Sequence, residues 1–78
     1  MHARVRTIVA EILGVDPASF GDDTRREEFE SWDSMSHLRL ITAVESTFGV
    51  HLTMEEIEAL QSPRDVEDVV RAKGGLDA

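Results

Sequence analysis

Apolar residues recur at intervals of three and four near the start of the chain. From Val5 to Leu13 this spacing places them along one face of a helix, as is typical of a helix with a single buried side. Gly14 follows at once, and glycine commonly ends a helix in the left-handed conformation. The pattern predicts a first helix over about residues 3–13. Its polar side chains are expected to face solvent: His2, Arg4 and Arg6.

The apolar pattern is lost between residues 16 and 31, where a proline, a glycine and two adjacent aspartates favour turns. This segment predicts a long loop between two helices, and we expect Phe20 and Phe29 to anchor it on the core. Thr24 and Glu27 have the spacing of a capping box, which favours a short helical turn inside the loop.

The apolar pattern returns over about residues 34–48, which we predict to be the second helix, ended by Gly49. At roughly 100° per residue, one set of side chains gathers on a single face and is assigned to the core. These side chains are His37, Leu40, Ile41, Val44 and Phe48.

Two further helices follow. Thr53 and Glu56 match a capping box, which predicts a short third helix over about residues 54–60. Ser62 is expected to cap a fourth helix that begins at Pro63. The inward residues are expected to be Ile57, Leu60, Val66, Val69 and Val70, and Gly74-Gly75 ends the pattern. The fold class is therefore all-α, a small four-helix bundle with a long loop between helices 1 and 2.

The length and composition of the chain limit its function. Its 78 residues predict one domain, 1–78, with little room for a deep catalytic cavity, so an autonomous enzyme is not expected. Sixteen acidic and eight basic residues give a net charge of -8, which disfavours nucleic acid and favours partners with basic surfaces. There is no cysteine and no apolar run long enough to span a membrane, so we expect a cytoplasmic protein without a thiol of its own.

Ser34 is the main candidate for chemistry. It stands at the predicted amino end of the second helix, where backbone N–H groups and the helix dipole favour a phosphate. Asp33 and Ser34 are also residue types that cap helices, so a purely structural role is open. A third possibility is a small hydrolase using Asp33, Ser34 and His37, although no oxyanion donors are evident. No spacing of the three histidines predicts a metal site.

The stretch WDSMSHLRLITAVESTFGVHLTMEEIEAL, within this order of helices, resembles an acyl carrier protein. The resemblance extends from about Val5 to Val70. It implies that Ser34 bears 4′-phosphopantetheine, delivered from coenzyme A by a phosphopantetheinyl transferase with Mg²⁺. The arm's thiol would then carry acyl groups as thioesters for acyl-loading and acyl-processing enzymes, with the protein as their substrate. By the same resemblance, Asp33 engages the transferase or its metal.

The resemblance also implies a surface for partner enzymes. Met35, Leu38 and Thr42 match positions of that surface and lie mostly outside the predicted core stripe. By helical spacing, Arg39 and Ser46 lie on the same side of the helix. Glu55, Glu56 and Glu58 on the third helix are expected to guide encounters electrostatically. The core residues Leu40, Ile41, Val44 and Phe48 match positions that line a cleft for an attached chain.

The type of carrier is less closely defined. Within residues 34–48 the charged residues are Arg39 and Glu45, whereas many fatty-acid carriers have a more acidic second helix. The WDSM-S-H-L form is similar to free-standing carriers of polyketide, nonribosomal peptide or other specialised pathways. A methionine directly after the serine, as at Met35, is also similar to D-alanyl carriers. Peptidyl carriers more often have histidine before the serine, so Asp33 favours the acyl class. An unmodified acidic adaptor is the alternative outside the family. A free carrier is expected to be monomeric.

Overall fold

The first two long helices lie where the sequence predicts them. The computed structural model describes residues 1–76, with helix α1 over Ala3–Leu13 and helix α2 over Ser34–Phe48. Both end at a glycine in the left-handed region, with φ of 67° at Gly14 and 66° at Gly49. Only glycine adopts this conformation at little cost, so these two residues determine where the helices stop.

Helix α3 covers Met54–Ala59 and helix α4 covers Pro63–Ala72, so each ends slightly before its predicted limit. The predicted caps are confirmed. The Thr53 hydroxyl accepts from the N–H of Glu56 and the Ser62 hydroxyl accepts from the N–H of Asp65, both at 3.2 Å. All regular structure in residues 1–76 is helical, which confirms the all-α fold class.

The core lies where α1 packs against α2 and α4. Its most deeply buried side chains come from all three of these helices, because each carries an apolar stripe of helical period. They are Val5, Val9, Leu40, Val44, Val66 and Val70. Within residues 1–76, no helix is long and apolar enough to span a membrane.

Aromatic residues hold the long loop on this core. The rings of Phe20 and Phe29 meet edge to face with centroids 5.3 Å apart, and Phe29 meets Trp32 in the same way at 5.4 Å. All three side chains are buried. The anchoring role predicted for Phe20 and Phe29 is thus confirmed, and Trp32 extends it to the residue just before Asp33.

The expectation that Arg6 faces solvent is wrong. Its guanidinium donates to the carbonyl oxygens of Pro17 at 2.6 Å and Phe20 at 2.8 Å, and it also pairs with Asp22. Burial works to raise the pKa of Asp22, but Arg6 and the chain's amino group outweigh it and lower that pKa. Arg6 therefore fastens the loop, because a guanidinium has enough donors to bind several oxygens.

Two smaller expectations are also corrected. His2 is not simply solvated: Nδ1 of its ring accepts from the backbone N–H of Arg4, capping α1, and the backbone N–H of His2 donates to the buried carboxylate of Glu67. The helical turn in the loop is a short 3-10 helix, Arg26–Glu28, closed by the N–H of Arg25 donating to Glu28 at 2.8 Å. The hydroxyl of Thr24 instead accepts from the N–H of Gly21.

Candidate functional site

Ser34 is the first residue of α2, and its side chain is exposed. Asp33 precedes it as the N-cap, and its Oδ1 accepts from the N–H of Ser36 at 2.8 Å. That N–H stabilises the ionised carboxylate and lowers the pKa of Asp33 below the ordinary value. The capping interpretation of Asp33 is therefore correct, and Ser34 is exposed beside it.

The turn is fixed from behind by a buried chain of hydrogen bonds. The indole N–H of Trp32 donates to Nδ1 of His37 at 2.9 Å, and Nε2 of His37 lies 2.8 Å from the carbonyl oxygen of Ile57. An indole nitrogen can only donate, so Nδ1 is the acceptor and Nε2 carries the proton that binds Ile57. His37 thus joins the segment before Ser34 to helix α3.

This arrangement does not assemble a hydrolytic triad. Both ring nitrogens of His37 are used in structural hydrogen bonds, so neither is placed to take a proton from Ser34. The carboxylate of Asp33 is bound to the N–H of Ser36. In residues 1–76, no three His, Asp or Glu side chains form a group that could hold a metal ion.

An open groove of about 450 Å³ lies beside Ser34, between α2 and α3. Its walls combine apolar side chains with one cation and one anion, and the residues that line it are Arg26, Ser34, His37, Leu38, Met54, Ile57 and Glu58. Leu38 and Met54 are 60% and 69% exposed, so the groove offers apolar surface that the fold does not cover. A linear, partly apolar group linked to Ser34 through a phosphate fits this set of residues.

The surface predicted for partners is a second open groove, of about 430 Å³, on the outer side of α2. Met35 and Leu38 are exposed, and the Thr42 hydroxyl donates to the carbonyl of Leu38. The residues that line it are Met35, Leu38, Arg39, Thr42, Ala43 and Ser46. The structure therefore brings together Met35, Leu38, Arg39 and Thr42, as the sequence suggested. Leu38 borders both grooves.

The acidic residues of α3 differ in their surroundings. Glu55 is exposed, whereas Glu56 accepts from the N–H of Thr53 and lies 2.9 Å from the ammonium of Lys73. The Thr53 N–H, and then Lys73, lower the pKa of Glu56. Glu58, rather than Glu55 or Glu56, shares the groove with Ser34.

Two residues that line the groove beside Ser34 were not singled out by the sequence. They are Arg26 and Met54. Met54 carried a usable signal, because it is apolar but falls outside the inward spacing of Ile57 and Leu60. Arg26 carried none, since it lies in a charged loop where a solvated side chain is the ordinary expectation.

Comparison with known proteins agrees with this geometry. The family described as "Phosphopantetheine attachment site" matches residues 3–70. The acyl carrier protein of Thermosynechococcus vestitus is 37% identical over 70 residues, covering 90% of this chain and 86% of the relative. That of Bdellovibrio bacteriovorus is 34% identical over 80 aligned positions, covering 95% of each chain. A third, from Solidesulfovibrio magneticus, is 31% identical and covers 92% of each chain.

The match covers helices α1 to α3 in full, α4 as far as residue 70, and the residues that line both grooves along α2. The chain therefore belongs to the acyl carrier proteins, non-catalytic carriers that bear a covalent 4′-phosphopantetheine group and are substrates of their partner enzymes.

Proposed function

We propose that Ser34 is the residue that receives 4′-phosphopantetheine. The observation that carries this proposal is the placement of an exposed serine hydroxyl at the start of α2, beside an open groove and on a turn held by Trp32 and His37. The positive end of the helix dipole favours the negative charge of a phosphodiester at this position. When bound, the arm supplies the thiol that carries acyl groups, which this cysteine-free chain lacks.

The test is modification of the apo-protein by coenzyme A, Mg²⁺ and a broad-specificity phosphopantetheinyl transferase, followed by intact mass. We expect the mass of one phosphopantetheine to be added to the wild type and to Ser36→Ala, and none to Ser34→Ala. Circular dichroism of each variant confirms that it is folded. Folded wild-type protein that resists several transferases would favour the unmodified acidic adaptor instead.

We further propose that Asp33 acts in two ways, as the cap of α2 and as a carboxylate that engages the transferase or its Mg²⁺. Asparagine caps helices about as well as aspartate but carries no charge. Asp33→Asn should therefore leave the helix content of the apo-protein unchanged and slow its modification. Equal modification rates for wild type and Asp33→Asn would limit Asp33 to capping.

We assign partner docking to the outer groove of α2, formed by Met35, Leu38, Arg39 and Thr42. The chain offers a matched control, because Met35 and Met54 are both 69% exposed but lie on different grooves. Met35→Gln should raise the KM of the transferase more than Met54→Gln does. The same KM for both variants would contradict this assignment.

We propose that the acidic face of α3 adds to the association rate through Glu55 and Glu56. Glu56 is already paired with Lys73, so its field is partly cancelled, whereas Glu55 is exposed. Glu55→Gln should therefore slow association more than Glu56→Gln, and the difference should fade as salt rises. Association rates that depend equally on salt in both variants would refute this role.

We propose polyketide, nonribosomal peptide or related biosynthesis as the pathway, because α2 carries only Arg39 and Glu45 as charged residues. The alternative within the family is a D-alanyl or peptidyl-type carrier. Offering the holo-protein to malonyl transferases and to adenylating ligases for D-alanine and other amino acids separates these outcomes.

We expect the chain to act in the cytoplasm as a single monomeric carrier domain, and sedimentation of the holo-protein tests its monomeric state.

A further inference from the structure

The groove beside Ser34 has an unusual charge balance for this protein. The chain carries a net charge of -8, yet Arg26 is the one arginine or lysine among the residues that line the groove. Glu58 lines the same groove. A phosphodiester on Ser34 would add a further negative charge to a surface that already repels it, and Arg26 is the residue placed to offset that charge.

The amino end of α2 has already used one of its free amides. The N–H of Ser36 donates to the side chain of Asp33, whereas the N–H of His37 makes the first hydrogen bond within the helix, to the backbone carbonyl of Asp33. A side-chain cation beside Ser34 would add to what the remaining amides and the helix dipole offer a phosphate.

Arg26 is held in place to provide it. Its backbone N–H donates to the carbonyl of Gln61 at 2.7 Å, and its Nε donates to the carbonyl of Trp32 at 3.3 Å. Trp32 is two residues before Ser34, which puts the guanidinium within roughly 10 Å of the Ser34 Cα atom. The bond from Nε uses one of five N–H donors, so both terminal nitrogens can serve an anion.

Arg25, the neighbouring arginine, already has a carboxylate partner. Arg25 is exposed, and its Nε lies 3.5 Å from a carboxylate oxygen of Glu27. Arg26 is half-buried and, within residues 1–76, its guanidinium forms no ion pair with a carboxylate. Of these two adjacent arginines, Arg26 is therefore the one whose charge is available to a phosphate.

We propose that Arg26 is a positioning residue that binds the phosphodiester of the arm on Ser34 and holds the start of the arm in the groove between α2 and α3. The proposal rests on the attachment at Ser34 proposed above. It concerns the phosphate end of the arm, and so applies whatever acyl group the arm carries.

The test compares apo- and holo-protein for wild type, Arg26→Gln and Arg25→Gln. Intact mass first establishes that each holo sample carries the group, and its absence would refute the attachment itself rather than the role of Arg26. Denaturation midpoints and slopes in urea then give the unfolding equilibrium constant of each form. A purely structural effect of Arg26→Gln is shared by apo- and holo-protein and cancels in their ratio.

We expect Arg26→Gln to reduce the holo-to-apo ratio of folding equilibrium constants by a factor of about 1.4–5, the range of exposed ion pairs. Arg25→Gln should leave the ratio unchanged. Equal ratios for wild type and Arg26→Gln would overturn the proposal, as would an equal loss in both variants.

A second measurement does not depend on stability. The phosphorus NMR resonance of the holo-protein should shift between about 50 mM and 500 mM salt in the wild type, because salt screens the contact with Arg26. Arg26→Lys should keep part of this shift, and Arg26→Gln should lose it. A resonance with the same salt dependence in all three proteins would also overturn the proposal.

Discussion

The hydrogen bond between Trp32 and His37 provides a sharp test of how the Ser34 turn is built. The two side chains are 4% and 6% exposed, so neither can exchange its partner for water. Trp32→Phe removes the indole donor and leaves Nδ1 of His37 buried without a partner. An unsatisfied buried polar group costs about 1–3 kcal/mol, and the smaller ring adds a packing loss to that figure.

A double-mutant cycle separates the hydrogen bond from the packing. His37→Leu removes the other partner, and the double variant leaves no orphaned group between the two positions. We expect the double variant to lose less stability than the sum of the single losses, with a difference of about 1–2 kcal/mol. In a domain of this size each 1 kcal/mol corresponds to roughly 4–8 °C in Tm.

Urea unfolding followed by circular dichroism measures the cycle, since fluorescence is lost with the chain's one tryptophan. Hydrogen exchange adds a measurement local to helix α3. This helix has six residues and is too short to persist alone, and the ring of His37 binds the carbonyl of Ile57 within it. Amides of α3 should therefore exchange faster in His37→Leu than global unfolding explains. Single losses that simply add, to within about 0.3 kcal/mol, would refute the hydrogen-bond chain.

Three further predictions follow from individual contacts. The lowered pKa of Asp33 means that its ionised form stabilises the fold above pH 3.8 and that this contribution is lost as the pH falls. The difference in unfolding free energy between wild type and Asp33→Asn, measured by urea titration, should therefore shrink in acid. A difference that stays constant with pH would contradict this role of the Asp33 carboxylate. A Cβ atom at Gly75 would lie 2.7 Å from a valine side-chain carbon, so Gly75→Ala should cost about 1–3 kcal/mol in thermal unfolding. A Cβ atom at Gly21 would lie 3.6 Å from its nearest neighbour, so Gly21→Ala should be near neutral. Similar losses of stability in Gly75→Ala and Gly21→Ala would show that the crowding at Gly75 is relieved by small shifts of its neighbours. Arg6→Gln should speed hydrogen exchange in residues 16–23 while the exposed Arg71→Gln does not, and unchanged exchange would mean that the aromatic contacts alone hold the loop.

The sequence predicted the helices well because their signals are local. The apolar period of α2 and the glycine after it lie within one continuous stretch, and both long helices begin and end where these signals place them. The caps at Asp33, Thr53 and Ser62 likewise need only a residue three positions away. Ser34 could be proposed as the modification site for the same reason, because its neighbours in the sequence place it at the start of α2.

The support behind Ser34 could not be predicted in this way. The carbonyl that binds His37 is 20 residues further along the chain, and the carbonyls that bind Arg6 belong to an irregular loop. A charged residue on a polar helix face or in a charged loop is ordinarily solvated, so Arg6 and Arg26 gave no sign of a special role. Such contacts depend on how separate segments come together, and periodicity carries no information about that.

The central claim is that the arm is attached at Ser34, and its most direct test is localisation of the modification. Cleavage after Arg26 and Arg39 yields peptide 27–39, which contains Ser31, Ser34 and Ser36 as competing hydroxyls. Fragment masses of this peptide from the holo-protein should place the phosphopantetheine on Ser34, leaving Ser31 and Ser36 unmodified. A modification found on Ser31, on Ser36 or outside the peptide would contradict the account.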